Sequence, residues 1–207
     1  VWNIWANTSV ANWDNLVGDH DITDVHWSPD SRYIAASAGD EIGVWSTESH
    51  ELVNILECEK ASSVQFSPDS TKLFGLDGDG NFRVWETETW RVVDEKTSSH
   101  YHHQSGIARY SPSGDAVAVC SINSGNDPDD PVSHRVHYFR CDGFEGLESF
   151  TYPSASFGDV SFSPTDDRVI VCDRAGFLCI HQRHVYVDSR FTTHPPVDYT
   201  PINACFH

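Results

Sequence analysis

Val25-His26-Trp27-Ser28-Pro29-Asp30 is a phrase that the chain repeats. It returns as Val64-Gln65-Phe66-Ser67-Pro68-Asp69, as Ala108-Arg109-Tyr110-Ser111-Pro112-Ser113 and as Val160-Ser161-Phe162-Ser163-Pro164-Thr165. A small apolar residue, a polar residue and an aromatic residue alternate in each. In extended backbone the first and third side chains therefore share one face, which their apolarity assigns to the core. The Ser-Pro that follows ends the strand, because proline fixes φ for the first corner of a turn and lacks an amide donor for a ladder. The Ser-Pro pairs are spaced 39, 44 and 52 residues apart, a period that suits one four-stranded unit per repeat with two insertions.

Outward from each phrase the pattern continues. Tyr33-Ile34-Ala35-Ala36-Ser37, Lys72-Leu73-Phe74-Gly75-Leu76, Ala116-Val117-Ala118-Val119-Cys120 and Arg168-Val169-Ile170-Val171-Cys172 are continuous apolar runs, as expected of strands buried on both faces. A Gly/Asp turn follows, such as Ala38-Gly39-Asp40 or Asp77-Gly78-Asp79-Gly80. A third strand then ends at Val44-Trp45, Val84-Trp85, Tyr138-Phe139 or Cys179-Ile180. Glu51-Leu52-Val53-Asn54-Ile55 and Trp90-Arg91-Val92-Val93 exemplify the fourth. Three hairpins per repeat predict a four-stranded antiparallel sheet, and the chain is all-β.

These repeats resemble those of the WD-repeat propeller family. There a histidine near the start of a blade, an aspartate in the second hairpin and a tryptophan ending the third strand tie the blade together. In the first repeat these places hold His20, Asp40 and Trp45, with Ser37 in the second strand; Asp40 lies one residue nearer the tryptophan than the family pattern. The second keeps Asp79 and Trp85 but has Glu59 at the histidine place. The third has His103, with Phe139 for tryptophan; the fourth has Ala155 and Ile180, and matches only in Asp173. Ser46 and Glu86 stand where the family places an aspartate after the tryptophan. The resemblance spans essentially the whole chain, and rests on periodicity and the Ser-Pro turns.

It implies a β-propeller of four-stranded antiparallel blades, one segment over 1–207. Blades are expected at about 20–57, 58–99, 100–150 with a hairpin insertion at 123–134, and 151–190, with partial blades at about 1–19 and 191–207. Val1-Trp2 is in register with Val44-Trp45, and Ala204-Cys205-Phe206-His207 with the opening phrase. The ring is therefore expected to be incomplete, part of a seven-bladed propeller. Remaining blades from the same or another chain would cover sheet faces that a solitary arc exposes.

The 207 residues, 39% hydrophobic and 12% aromatic, suffice for a substantial core. The net charge of -18, from 31 acidic against 13 basic residues, argues against nucleic acid and anionic membranes as partners. No run approaches the roughly 20 apolar residues of a membrane span. Cys58, Cys120, Cys141, Cys172, Cys179 and Cys205 stand singly, a pattern of reduced thiols that places the protein in cytoplasm or nucleus. The sequon Asn7-Thr8-Ser9 is too short a pattern to alter that. The chain contains no methionine, and with its partial end blades it is expected to be a piece of a longer polypeptide.

Candidate chemistry is sparse. His100-Tyr101-His102-His103 offers imidazoles for zinc or copper, but is better read as a structural histidine among loop residues. His181 and His184, three apart after a strand, point to opposite faces. Asn123 to Pro131 carries three carboxylates without the spaced ligands of a calcium loop. It is expected to be a solvated loop suited to recognition. Asp77-Gly78-Asp79-Gly80-Asn81 lacks the glutamate of a calcium loop and is expected to be a turn. No Gly-x-Ser-x-Gly, phosphate loop or cysteine–base pair occurs. No metal, cofactor or catalytic residue is assigned.

The expected function is a protein–protein interaction scaffold. By the resemblance, the loops on one propeller face offer His20, Asp21, Asp40, Lys60, Asp77, Asp79, His102, His103 and Arg174 to a protein or peptide partner. Their acidic balance predicts a basic one, bound more weakly in salt. The alternative is a regulatory or sensor propeller in a larger multidomain protein, such as a NOD-like ATPase or a transport or RNA-processing assembly. A propeller enzyme with a channel metal is a third, less favoured, class.

Overall fold

A computed structural model describes residues 2–3, 8–9, 20–97, 103–123, 133–143, 146–152, 157–165, 168–173 and 178–182. Every regular element among them is a strand. A short ribbon, β1 (Trp2–Asn3) with β2 (Thr8–Ser9), precedes the sheets. Blade I comprises β3 (Ile22–Trp27), β4 (Tyr33–Ala38), β5 (Glu41–Ser46) and β6 (Leu52–Glu57). Blade II comprises β7 (Ser63–Phe66), β8 (Lys72–Leu76), β9 (Phe82–Glu86) and β10 (Val92–Lys96). Blade III comprises β11 (His103–Tyr110), β12 (Ala116–Asn123), β13 (Ser133–Arg140) and β14 (Gly146–Tyr152). Blade IV contributes β15 (Phe157–Phe162), β16 (Arg168–Asp173) and β17 (Leu178–Gln182). Each is an antiparallel meander in chain order, and the first strands of successive blades adjoin, β3 to β7, β7 to β11 and β11 to β15. This is β-propeller architecture.

The Ser-Pro turns form as the phrase predicts. Ser31, Ser70 and Gly114 donate their amides to the carbonyls of Ser28, Ser67 and Ser111 at 2.8 to 2.9 Å. All three occupy positive φ, from 62° to 77°. Asp30 and Asp69 complete the turns by accepting from the hydroxyls of Ser28 and Ser67 at 2.6 Å. In blades I to III the third hairpin closes on the first: Thr47, Thr87 and Cys141 donate their amides to the carbonyls of Arg32, Thr71 and Asp115. One end of the blades, the lower end, thus carries the first and third hairpins. The upper end carries the second hairpins and the inter-blade connections, as in the amide bonds Cys58 to Asp40 and Ala61 to Gly39.

The core lies between blades. Val64, Phe66, Leu73 and Trp85 of blade II cluster with Ala35, Ile42 and Val44 of blade I. Ala108, Tyr110, Val117 and Val119 of blade III meet Phe74, Leu76, Phe82 and Val84 of blade II. Val160, Val169 and Val171 of blade IV meet Ala118, Cys120, Val136 and Tyr138 of blade III. Second strands buried on both faces account for this stacking. Gly75 is required by it, since a Cβ there would lie 2.6 Å from Ile42 Cδ1 and 2.8 Å from the Trp85 ring.

Three expectations are modified. Val25 and Trp27 do not enter the core: they stay 58% and 48% exposed, because the side they face meets no preceding blade among the described residues. Ile170, Leu178 and Ile180, at positions whose equivalents in blade III are fully buried, remain 39–40% exposed for the same reason at the other end. The insertion read at 123–134 is strand at its ends, since Asn123 pairs with Ser133 and Ile122 with His134.

Candidate functional site

The upper end gathers the sequence-predicted residues that lie among the described ones. His20 and Asp21 are exposed just before β3. The imidazole of His20 covers Gly39 so closely that a Cβ there would come within 2.5 Å of it. Asp40, exposed in the second hairpin of blade I, accepts the Lys60 amide at 2.8 Å. The Lys60 ammonium reaches across to Asp79, at 3.1 and 3.3 Å, in the second hairpin of blade II. That hydrogen bond and the charge of Asp79 raise the Lys60 pKa above its ordinary value. The pair is well exposed, so it adds little to stability. Asp77 is absorbed by its own turn: its carboxylate accepts the amides of Asp79 and Asn81 at 2.8 Å and the Asn81 side chain at 2.8 Å. The expected turn at 77–81 is therefore observed. His103 begins β11 opposite Asn123, and so also lies at this end. His102 and Arg174 lie outside the described residues.

In blade I the Ser37 hydroxyl, one of the places named by the resemblance, joins a local network. Ser37 shares its hydroxyl with Thr23 at 2.8 Å, and Thr23 also donates to the carbonyl of Ala61 at 2.8 Å or of Ser37 at 3.1 Å. Thr23 thereby links blade I to the connection leading into blade II. A cavity of about 130 Å³ opens nearby between Cys58, Asp77, Arg83 and Glu95. Burial pushes the Cys58 thiol up to about 12, so it stays protonated and inert near neutrality. Among the described residues no three His, Cys, Asp or Glu side chains are grouped to hold a metal, and Cys58, Cys120, Cys141 and Cys172 are free thiols.

A second set of polar residues was not singled out in the sequence. The middle residue of the repeated phrase, and the one preceding it by two, reach sideways to the next blade. Asp24 accepts the Val64 amide at 3.2 Å, and His26 Nδ1 accepts the Phe66 amide at 3.2 Å. One blade on, Ser63 Oγ accepts the Ala108 amide at 3.2 Å and Gln65 accepts the Tyr110 amide at 2.5 Å. First strands have no sheet partner on their inner side, so side chains satisfy amides that a ladder would otherwise take. Arg109 departs from this pattern. Its guanidinium donates to Asp24 at 3.3 Å and approaches Asp159 of blade IV at 3.5 Å, tying blades I, III and IV together. Asp24 also accepts from Ser63 Oγ at 2.8 Å. The signal in the sequence was a polar residue kept between two apolar ones in every copy of the phrase.

The WD domain, G-beta repeat family model matches residues 14–46 and 50–86. The chain is 22% identical over 124 residues to the serine-threonine kinase receptor-associated protein of Dictyostelium discoideum, covering 59% of this chain and 40% of that one. It is 30% identical over 107 residues to transcription initiation factor TFIID subunit 5 of Caenorhabditis elegans, covering 50% and 16%. It is 33% identical over 85 residues to WD repeat-containing protein 1 of Rattus norvegicus, covering 37% and 14%. The chain thus spans 40% or less of the length of these curated relatives. Among solved structures, hydrazine synthase of Kuenenia stuttgartiensis superposes with a TM-score of 0.68 at 14% identity, over 79% of this chain and 51% of that one. That likeness is of fold. The chain thus carries two matched WD repeats, and the same turn-and-strand framework continues through the blades that follow them.

Proposed function

We propose that this chain is a protein-interaction scaffold whose upper end docks a basic protein or peptide. The observation that carries the reading is the contrast between a tied interior and an exposed acidic rim. Inter-blade bonds from Asp24, His26, Ser63 and Gln65 lock the first strands, while Asp21, Asp40 and Asp79 stay exposed beside one another's loops. Rigid β scaffolds with loops at one end are suited to recognition. The net charge of -18 would draw cationic partners and repel anionic ones. The relatives named receptor-associated protein and transcription factor subunit support a role within assemblies. A cytoplasmic or nuclear setting accords with them, and no helix among the described residues is long and apolar enough to cross a membrane. No catalytic step is assigned. That the chain is a propeller segment of a larger regulatory protein is the second reading, favoured by its covering so little of its relatives' length.

The test is a fluorescence-anisotropy titration of a lysine- and arginine-rich 15-residue peptide and its glutamate counterpart. Only the basic peptide is expected to bind, with affinity falling steeply between about 50 mM and about 300 mM salt. The double substitution Asp40→Asn with Asp79→Asn is expected to weaken it severalfold. Binding that ignores both salt and peptide charge would refute the reading.

A further inference from the structure

The inner edges of the first strands are not equipped alike. In blade I, Asp24 accepts the amide of its neighbour Val25 at 3.0 Å through one oxygen and the Val64 amide of blade II at 3.2 Å through the other. His26, two residues on, accepts the Phe66 amide at 3.2 Å. Ser63 and Gln65 repeat the pair towards blade III, accepting the Ala108 and Tyr110 amides. Blade III holds Ile107 and Arg109 at these places, an apolar side chain and a cation, neither of which can accept from an amide. In blade IV acceptors return as Asp159 and Ser161. Asp159 reproduces the first half of the Asp24 arrangement: its Oδ1 accepts the Val160 amide at 2.8 Å and is the oxygen that Arg109 approaches at 3.5 Å. Among the described residues no group donates to its Oδ2, and the side chain stays 58% exposed.

The face beside this edge is open as well. Ile170, Leu178 and Ile180 are 39–40% exposed, and Cys172 beside them is half-buried. Their counterparts in blade III are buried because the next copy of the repeated phrase lies on them. Val160 packs into the cluster of Ala118, Cys120, Val136 and Tyr138, and the Phe162 ring meets that of Tyr138 edge-on at 6.3 Å. Two acceptors along an edge, next to an apolar face, therefore make a seat for one more such phrase. It would need amides two residues apart, with a small apolar and an aromatic side chain turned to the same side.

The chain holds one. Ala204-Cys205-Phe206 has the required order of side chains and lies outside the described residues. As many residues separate Gln182, the end of β17, from Ala204 as separate Glu86, the end of β9, from Ala108. The second interval accommodates a fourth strand and a return to the inner edge, so the first is long enough for the same path.

We infer that the open face and inner edge of blade IV are the docking site of this chain's own Ala204-Cys205-Phe206 segment, with the Asp159 carboxylate accepting the Ala204 amide and the Ser161 hydroxyl the Phe206 amide. Amides on an inner edge have no ladder to join, so acceptors supplied from the blade before satisfy them. The carboxylate makes the stronger, charge-assisted bond. Phe206 then covers Ile180 as Phe162 covers Tyr138. The seat does not involve the upper-end rim, and failure of basic peptides to bind there leaves it untouched.

The experiment is NMR of the full chain with labelled isoleucine and leucine methyl groups, together with amide hydrogen exchange. The Phe206 ring is expected to show through-space contacts to the methyls of Ile180 and Leu178, unchanged on dilution and absent in Phe206→Ser. Asp159→Ala with Ser161→Ala is expected to speed exchange of the Ala204 and Phe206 amides at least about tenfold, leaving Val64 and Phe66 within about twofold. Asp159→Asn with Ser161→Thr, which keeps both acceptors, is expected to retain most of the protection. Unchanged exchange at Val169 and Val171 establishes that blade IV is folded in each variant. The inference is overturned if Phe206 contacts none of these methyls, or if the alanine variant exchanges like the parent. Contacts seen only between differently labelled copies in a mixed sample also overturn it, making a second copy the occupant.

Discussion

His26 shows how a single side chain carries the stacking of two blades. Its imidazole accepts the Phe66 amide, and burial lowers its pKa from the ordinary 6.5, with Asp24 opposing the shift and Arg109 adding to it. Protonation would convert the accepting nitrogen into a donor facing another donor. The unfolded chain takes up this proton near 6.5 and the folded chain only at lower pH. The stabilisation is therefore complete above 6.5 and is lost as pH falls from there through the folded value. Gln65 makes the equivalent bond without titrating, so His26→Gln is expected to keep the contact and reduce the fall in urea midpoint between about pH 7.5 and about pH 5. An unchanged fall would assign that pH dependence to other groups.

Strand β8 illustrates what a blade requires of one element. Leu73, Phe74 and Leu76 are buried on alternating sides, one side serving the cluster with blade I and the other the cluster with blade III. Gly75 sits where Ile42 and the Trp85 ring approach the backbone. Gly75→Ala offers a better strand former, yet its methyl would collide with a ring that has no room to withdraw. The expected outcome is a loss of about 1–3 kcal/mol in urea denaturation, the usual range for overpacking. A neutral or stabilising effect would show that the blade I–blade II cluster can relax. The turns at the lower end were legible beforehand, because Ser-Pro-Asp specifies both the corner and its capping carboxylate. The length of β12 and β13 was not. Ser121-Ile122-Asn123 and Ser133-His134-Arg135 pair only because the hairpin is already held in register by the apolar run before them.

The stack of blades as a whole makes identical phrases behave differently. Phe66 is 1% exposed and Trp27, at the same place one repeat earlier, is 48% exposed. Phe66→Ala is expected to cost about 3–5 kcal/mol, as large core truncations do, and Trp27→Ala under about 1.5 kcal/mol on this chain. Chemical denaturation of the two variants checks this directly. An equal loss at Trp27 would mean that another segment packs against that face. The arc's exposed ends, Val25 and Trp27 at one and Ile170, Leu178 and Ile180 at the other, are apolar surfaces of the kind that mark an interface, and they accord with further blades adjoining this segment.

What the amino-acid order determined by itself is the local and periodic part of the protein. Alternation, Ser-Pro corners and a repeat of about forty residues are properties of neighbours in sequence, and they suffice for four-stranded meanders and for the resemblance to WD repeats. The resemblance they carry also implied that Asp40, Lys60 and Asp79 share one face. Only the tertiary structure decided which charges remain available. Lys60 is occupied by Asp79, Asp77 by its own turn and Arg109 by Asp24 and Asp159. Glu88 of blade II acts on the charge of Arg32 of blade I beside a lower-end hollow that no stretch of sequence announces. Its walls come from three blades, far apart in the chain, and such convergence depends on packing between repeats, which a pattern within one repeat does not encode.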